Sequence, residues 1–171
     1  PSIKKPGDLT TLAQAVAAAR SELVKKYRYR ILICMGGGCI ASGSQKIKEA
    51  LEDELKKQSA DSLATIITTG CLGPCAKGPV VVIDPDQVFY QDLCPADAAD
   101  IVSLHIKHGK AVDRLVVKHG PDGKPASTIP EVEFFKRQTK IVLRNCGAID
   151  PLRIDDYIGR QGYQAMAKAL T

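Results

Sequence analysis

The chain has no tryptophan, and tyrosine and phenylalanine together make up only 5% of it. Proteins that hold single-stranded nucleic acid stack bases on such rings, and they gather their positive charge into a groove. Here 24 basic residues are interleaved with 19 acidic ones, so nucleic-acid binding is not expected. The net charge of +5 leaves at most a mildly basic face for an acidic partner, and an ordinary solvated surface accounts for it equally well. Long apolar runs are also missing. Nothing approaches the roughly 20 residues needed to cross a bilayer, so no membrane span is expected, and runs such as Val80–Ile83 suit a buried strand. The opening Pro1-Ser2-Ile3-Lys4-Lys5-Pro6 has no apolar stretch behind its basic residues, which argues against a secretory leader and for a cytoplasmic setting.

What is present suffices for a packed core: 44% hydrophobic residues in a chain of 171. Residues 8 to 27 place Leu9, Leu12, Val16, Leu23, Val24 and Tyr27 at helical spacing, with Thr11 and Gln14 as a capping box. Arg30 to Met35 predicts a buried strand that ends at glycines. A helix follows from about Gly43 to Lys57, with Ser42 and Gln45 as its capping box and Ile47, Leu51 and Leu55 along one face. Leu63 to Thr69 predicts a second strand that breaks at Gly70. Val80–Ile83 and Gln87–Tyr90 read as a hairpin around Asp84-Pro85-Asp86, and Pro95 opens a further helix carrying Ile101, Val102 and His105. The order describes a small α/β layer. Residues 118 to 140 begin with a proline- and glycine-rich stretch and read as a linker. From Thr139 the pattern resumes as a strand, a turn and a helix, too short to bury a core of its own.

The six cysteines carry the chemistry. In a reducing compartment, tight cysteine spacings point to metal or redox sites rather than to structural disulfides. Cys34 and Cys39 have four residues between them, and Cys71 and Cys75 have three. Each pair sits in a glycine-rich loop directly after a predicted strand. If those strands are parallel neighbours, both loops leave the same edge of the sheet and four thiolates meet. Such a set can hold zinc or an iron-sulfur cluster. Neither pair has the tight two-residue spacing of a zinc knuckle, and a two-iron cluster with two sulfurs on each iron suits the looser loops. A structural zinc or interaction module, and simple buried or redox-sensing thiols, remain the alternatives. Glycines at 36, 37, 38, 70 and 73 would let backbone N–H groups approach an anionic cluster. The same glycines, as Gly36-x-Gly38-x-x-Ala41, imitate a dinucleotide fingerprint, but the next strand ends in Thr68-Thr69-Gly70 without the acidic residue that would hold a ribose. Cys94 reads as a semi-buried small residue. His105, His108 and His119 are too scattered for a site that replaces cysteine by histidine.

The segments "ICMGGGCIASGS" and "TTGCLGPCAKGPVVVIDPDQVFYQDLCPADAADIV" resemble the thioredoxin-like [2Fe-2S] ferredoxin domain, which also occurs as the 24 kDa-type subunit of respiratory complex I. The resemblance spans residues 29 to 117. It implies a thioredoxin-like α/β fold and a [2Fe-2S] cluster on Cys34, Cys39, Cys71 and Cys75 that passes single electrons; residues 1 to 28, outside the resemblance, add the helix read from their apolar spacing. The tail "FFKRQTKIVLRNCGAIDPLRIDDYIGRQGYQAMAKAL" is similar to the opening of the 51 kDa-type, NADH-binding FMN flavoprotein subunit of complex I and of related hydrogenase and formate dehydrogenase diaphorases. That similarity implies that residues 141 to 171 begin a flavoprotein domain whose FMN and NAD(P) sites lie further downstream, and that Cys146 is not a ligand. Expected partners are that domain and other redox subunits of a multisubunit complex. A homo-oligomer is compatible with the same pattern, and no catalytic residue is expected within the chain.

Overall fold

The computed structural model describes residues 3–118 and 126–170; His119 and part of the expected linker fall outside them. At its centre is a sheet of four strands: β1 (Tyr29–Cys34), β2 (Ala64–Thr69), β3 (Val81–Asp84) and β4 (Val88–Tyr90). Their order is β2-β1-β3-β4. β1 and β2 run parallel, in a register that sets Cys34 beside Thr69. β3 is antiparallel to β1, and β4 is antiparallel to β3. The parallel pair requires a crossover, which α3 (Ser44–Lys57) supplies after the short α2 (Gly37–Ala41).

Alternation along the strands divides the core in two. Tyr29, Ile31 and Ile33 of β1, with Val81 and Ile83 of β3, face one side. There they meet Ile47, Leu51 and Leu55 of α3 and the helix that starts as α4 (Asp97–Asp100). This helix widens over Ile101–Ile106 into a π-helical coil, with the Lys107 N–H donating to the Val102 carbonyl. Leu32, Cys34, Val82 and Phe89 face the other side, as the two-residue period of a strand requires. Residues of the expected linker cover that second face. Val132 and Ala126 are buried against it, and the Phe135 ring stands edge-on to Phe89 at a centroid distance of 5.3 Å. Backbone bridges tie Thr128 to Val88 and Ala126 to Val117. Residues 126–136, which contain α5 (Glu133–Lys136), are therefore packed structure.

Several local expectations are corrected. α1 runs over Pro6–Lys26 and starts before Thr11; the Asp8 carboxylate caps it by accepting from the Lys4 and Lys5 N–H groups at 2.9 and 3.2 Å. Ser42 does not cap α3. Gly43, at φ +95°, begins it, and the buried Ser44 hydroxyl lies 3.5 Å from the Met35 sulfur. The helix near Pro95 begins at Asp97, whose carboxylate accepts from the Cys94 N–H at 2.7 Å. The strand expected from Thr139 does not form: residues 141 to 149 are a succession of turns, with Ile141 and Val142 74% and 92% exposed. A strand needs a partner to satisfy its N–H and C=O groups, and none pairs with this segment among the described residues. The tail docks instead on α1 through α6 (Ile154–Gly159) and α7 (Gln164–Ala169). Ile158 is buried there, and the Arg20 guanidinium donates to the Ala148 carbonyl at 2.6 Å.

Candidate cluster site

The parallel β1–β2 pair carries Cys34 and Cys71 to the same edge of the sheet. Cys34 is the last residue of β1, and Cys71 follows β2 after Gly70. α2 folds back immediately and brings Cys39 into the buried interior beside Cys34. Cys75 begins a single 3-10 turn, Cys75–Lys77, with its sulfur 3.4 Å from that of Cys71. The sequence-predicted thiols thus form two pairs. Cys34 and Cys39 are each 1% exposed, whereas Cys71 and Cys75 are open to solvent.

Glycine backbone presses the two loops together. A Cβ added at Gly36 would lie 3.0 Å from Cys71 Cβ; at Gly38, 3.1 Å from Cys75 Cβ and 3.6 Å from its sulfur; at Gly78, 2.9 Å from the Cys39 sulfur. Side chains at these positions would fill the space around the sulfurs. The other expected glycines differ: nothing lies within 4 Å of a Cβ at Gly37, a Cβ at Gly70 would only touch Pro151, and Gly73 faces the Phe134 ring. Gly78 is the position that sequence reasoning missed, because its closeness to Cys39 depends on how the loop before β3 folds back. Since cysteine side chains fill the space beside Gly36 and Gly38, and α2 stops at Ala41, the phosphate-cradle reading of these glycines is not supported.

Two of the four thiols, Cys39 and Cys75, resist ionisation. Burial pushes the Cys39 thiol up to about 12, with the hydrogen bond to Cys34 adding to the effect. The Cys71 hydrogen bond, followed by its charge, raises Cys75. A bound cationic centre would have to displace the protons of these two thiols, so its uptake should be favoured by rising pH. Among the described residues, no three Cys, His, Asp or Glu side chains converge on a position for one ion. The donor set is two adjacent pairs, which suits a two-metal group with two sulfurs per metal better than one tetrahedral ion.

Cys94 and Cys146 lie apart from this set. Cys94 is exposed rather than semi-buried, at the edge of a cleft with Lys77 and Arg114. Cys146 sits half-buried among the turns of the tail. His105 is spent in the core: its Nδ1 is 2.7 Å from the Tyr90 hydroxyl and its Nε2 is 3.1 Å from Asp86.

A crossover-linked parallel strand pair that delivers two cysteine pairs to one sheet edge, with glycine backbone against sulfur, defines a mixed α/β protein with four gathered thiols. The chain belongs to the thioredoxin-like [2Fe-2S] ferredoxin family, whose model matches residues 20–105. It is 39% identical over 85 residues to a 2Fe-2S ferredoxin of Aquifex aeolicus, a match that covers 49% of this chain and 77% of the relative. The crystal structure of the wild-type thioredoxin-like [2Fe-2S] ferredoxin from Aquifex aeolicus superposes with a TM-score of 0.50 at 30% identity, covering 53% of this chain and 97% of that one. A further 36-residue match, 58% identical, links the chain to the NADP-reducing hydrogenase subunit HndC of Solidesulfovibrio fructosivorans; it covers 21% of this chain and 7% of that subunit.

Proposed function

We propose that Cys34, Cys39, Cys71 and Cys75 hold a [2Fe-2S] cluster and that the chain carries electrons one at a time within a larger redox assembly. The observation that carries this reading is the pairing of the thiols across Gly36 and Gly38, where a Cβ would strike the opposite cysteines. When bound, such a cluster takes up and releases a single electron without making or breaking bonds to a substrate. The protein's part is to hold and shield it. Cys34 and Cys39 fasten one side within the apolar face formed by Val80, Val82 and Phe89. Cys71 and Cys75 lie at the surface, where a partner can approach.

The likeness to a subunit of an NADP-reducing hydrogenase supports placing the chain in a multisubunit NAD(P)H-linked oxidoreductase of the hydrogenase, formate dehydrogenase or complex I type. In this reading residues 29–117 are the electron-carrying unit, and residues 141–171 lead toward a flavoprotein domain that would contain the FMN and NAD(P) sites. A reducing cytoplasmic setting fits six cysteines none of which is joined in a disulfide. No helix among the described residues is long and apolar enough to cross a membrane.

The test is to purify the chain without oxygen, record its visible and electron paramagnetic resonance spectra, and determine its metals. Two irons and two acid-labile sulfides per chain are expected, by the stoichiometry of such a cluster. A colourless protein with one zinc would favour the structural-zinc alternative and refute the proposal. Cys34→Ser, Cys39→Ser, Cys71→Ser and Cys75→Ser should each destroy or alter the spectrum, whereas Cys94→Ser and Cys146→Ser should leave it unchanged.

A further inference from the structure

The two halves of the cysteine site are anchored differently. The inner loop is fixed by the buried Cys34 and Cys39 and by α2, whose Ile40 N–H donates to the Gly36 carbonyl at 3.0 Å. The outer loop, residues 70–75, has no helix of its own before the turn at Cys75, and its two cysteines are exposed. Its one buried side chain is Leu72, 3% exposed. Leu72 packs in the cluster that holds Cys34, Cys39, Val80, Val82 and Phe89, and further contacts to the loop come from beyond the region matched to the ferredoxin family.

Three contacts converge there. A Cβ at Gly147, where φ is +84°, would fall 2.5 Å from Leu72 Cδ2, so only glycine lets the tail lie this close over Leu72. A Cβ at Gly73 would fall 2.7 Å from the Phe134 ring, which therefore covers the loop's turn. Just ahead of Cys71, the Thr68 hydroxyl donates to Asp150 Oδ2 at 2.7 Å, and the Thr69 hydroxyl donates to the Ile149 carbonyl at 3.0 Å. The other Asp150 oxygen accepts from the Leu152 N–H at 2.9 Å, and the Asp150 N–H donates to Asp156 at 3.0 Å, so the carboxylate is held from both sides.

We propose that residues 126–151 act as a clamp that fixes the outer cysteine loop, with Phe134, Gly147 and Asp150 as its positioning residues. The proposal rests on the reading of Cys71 and Cys75 as ligands. Its consequence is that the rigidity of the surface-facing half of the site is set by a segment outside the ferredoxin domain, so a displacement of that segment is felt at the outer pair first.

The test is amide hydrogen exchange on the full chain, with and without reconstituted cluster, for Phe134→Ala, Asp150→Ala and Gly147→Ala. The reporting amides are those of Cys75, Lys77 and Gly78, each bonded within the loop or its turn. Loss of one clamp contact should raise their exchange about fivefold or more and leave Ile40 and Ser42 of the inner loop unchanged. In the loaded protein, cluster loss to a chelator should accelerate correspondingly. Leu152→Ala, one residue past the clamp and 91% exposed, should change neither. Wild-type exchange at 75–78 in all three clamp variants, or an equal rise in the inner loop, overturns the clamp. A wild-type chain that takes up no cluster overturns the proposed function instead, and the exchange contrast, readable in the metal-free chain, then still decides the clamp.

Discussion

Replacing Gly36 by alanine puts a methyl group where the two cysteine loops meet. The added Cβ would lie 3.0 Å from Cys71 Cβ and 3.1 Å from Cys71 Cα, whereas carbon atoms pack comfortably at about 3.5–4.0 Å. One of the opposing atoms is backbone, so no side-chain rotation relieves the contact; the loops must part by several tenths of an ångström. Overpacking of this kind costs about 1–3 kcal/mol, equivalent to about a 5- to 150-fold shift against the closed arrangement. Gly37→Ala is the matched control. Nothing lies within 4 Å of its added Cβ, it stands within α2, and alanine is favoured over glycine in helices by about 0.5–1 kcal/mol. Both variants would be reconstituted anaerobically, scored for iron per chain, and followed by visible absorbance during a chelator challenge. Gly36→Ala should lose its cluster at least several-fold faster than wild type, and Gly37→Ala should match wild type. Equal losses in the two variants, or wild-type retention by Gly36→Ala, would refute the argument that close backbone approach at Gly36 is what seats the thiols.

Gly78→Ala should also weaken cluster retention, because its Cβ would fall 2.9 Å from the Cys39 sulfur; iron content of the reconstituted variant checks this. His105 predicts a pH dependence. Burial lowers its pKa below the ordinary imidazole value, with Asp86 opposing that shift. The folded chain therefore keeps it neutral while the unfolded chain protonates near pH ~6.5. The contribution to stability is complete above about pH 6.5 and is lost as the pH falls from there through the folded value. Urea midpoints should drop over that range, and His105→Gln should flatten the drop; an unchanged slope in the variant would contradict the assignment. Leu51→Ala, at a side chain with no exposed surface, should destabilise the metal-free chain by about 2–5 kcal/mol in urea melts, with no change in which cysteines bind the cluster.

Much of the sheet was legible because its signals are local. β1, β2 and the β3–β4 hairpin are short β-branched runs ended by glycine or proline, and α3 shows Ile47, Leu51 and Leu55 at helical spacing, all of them buried. The four cysteines were legible for a related reason: close pairs at strand ends need only the parallel arrangement of β1 and β2 to meet, and that arrangement is present. The errors occur where a residue's role depends on a distant partner. Ile141, Val142 and Leu143 have the composition of a strand, but among the described residues no strand edge receives them, so they remain in turns and bends. Residues 126–136 follow a proline- and glycine-rich stretch, yet Val132 and Phe135 cover the face of the sheet that Cys34 shares.

The sequence by itself determined the identity of the thiols, their two spacings and the strand-helix rhythm that brings them to one edge, because these follow from side-chain periodicity and backbone preference over a few residues. Only the tertiary structure decided which glycines matter and what holds the outer loop. The distance from Gly78 to the Cys39 sulfur, and those from Gly147 to Leu72 and Asp150 to Thr68, join positions far apart in the chain. Such contacts are set by how packed faces fit together, a property that no local stretch of sequence contains.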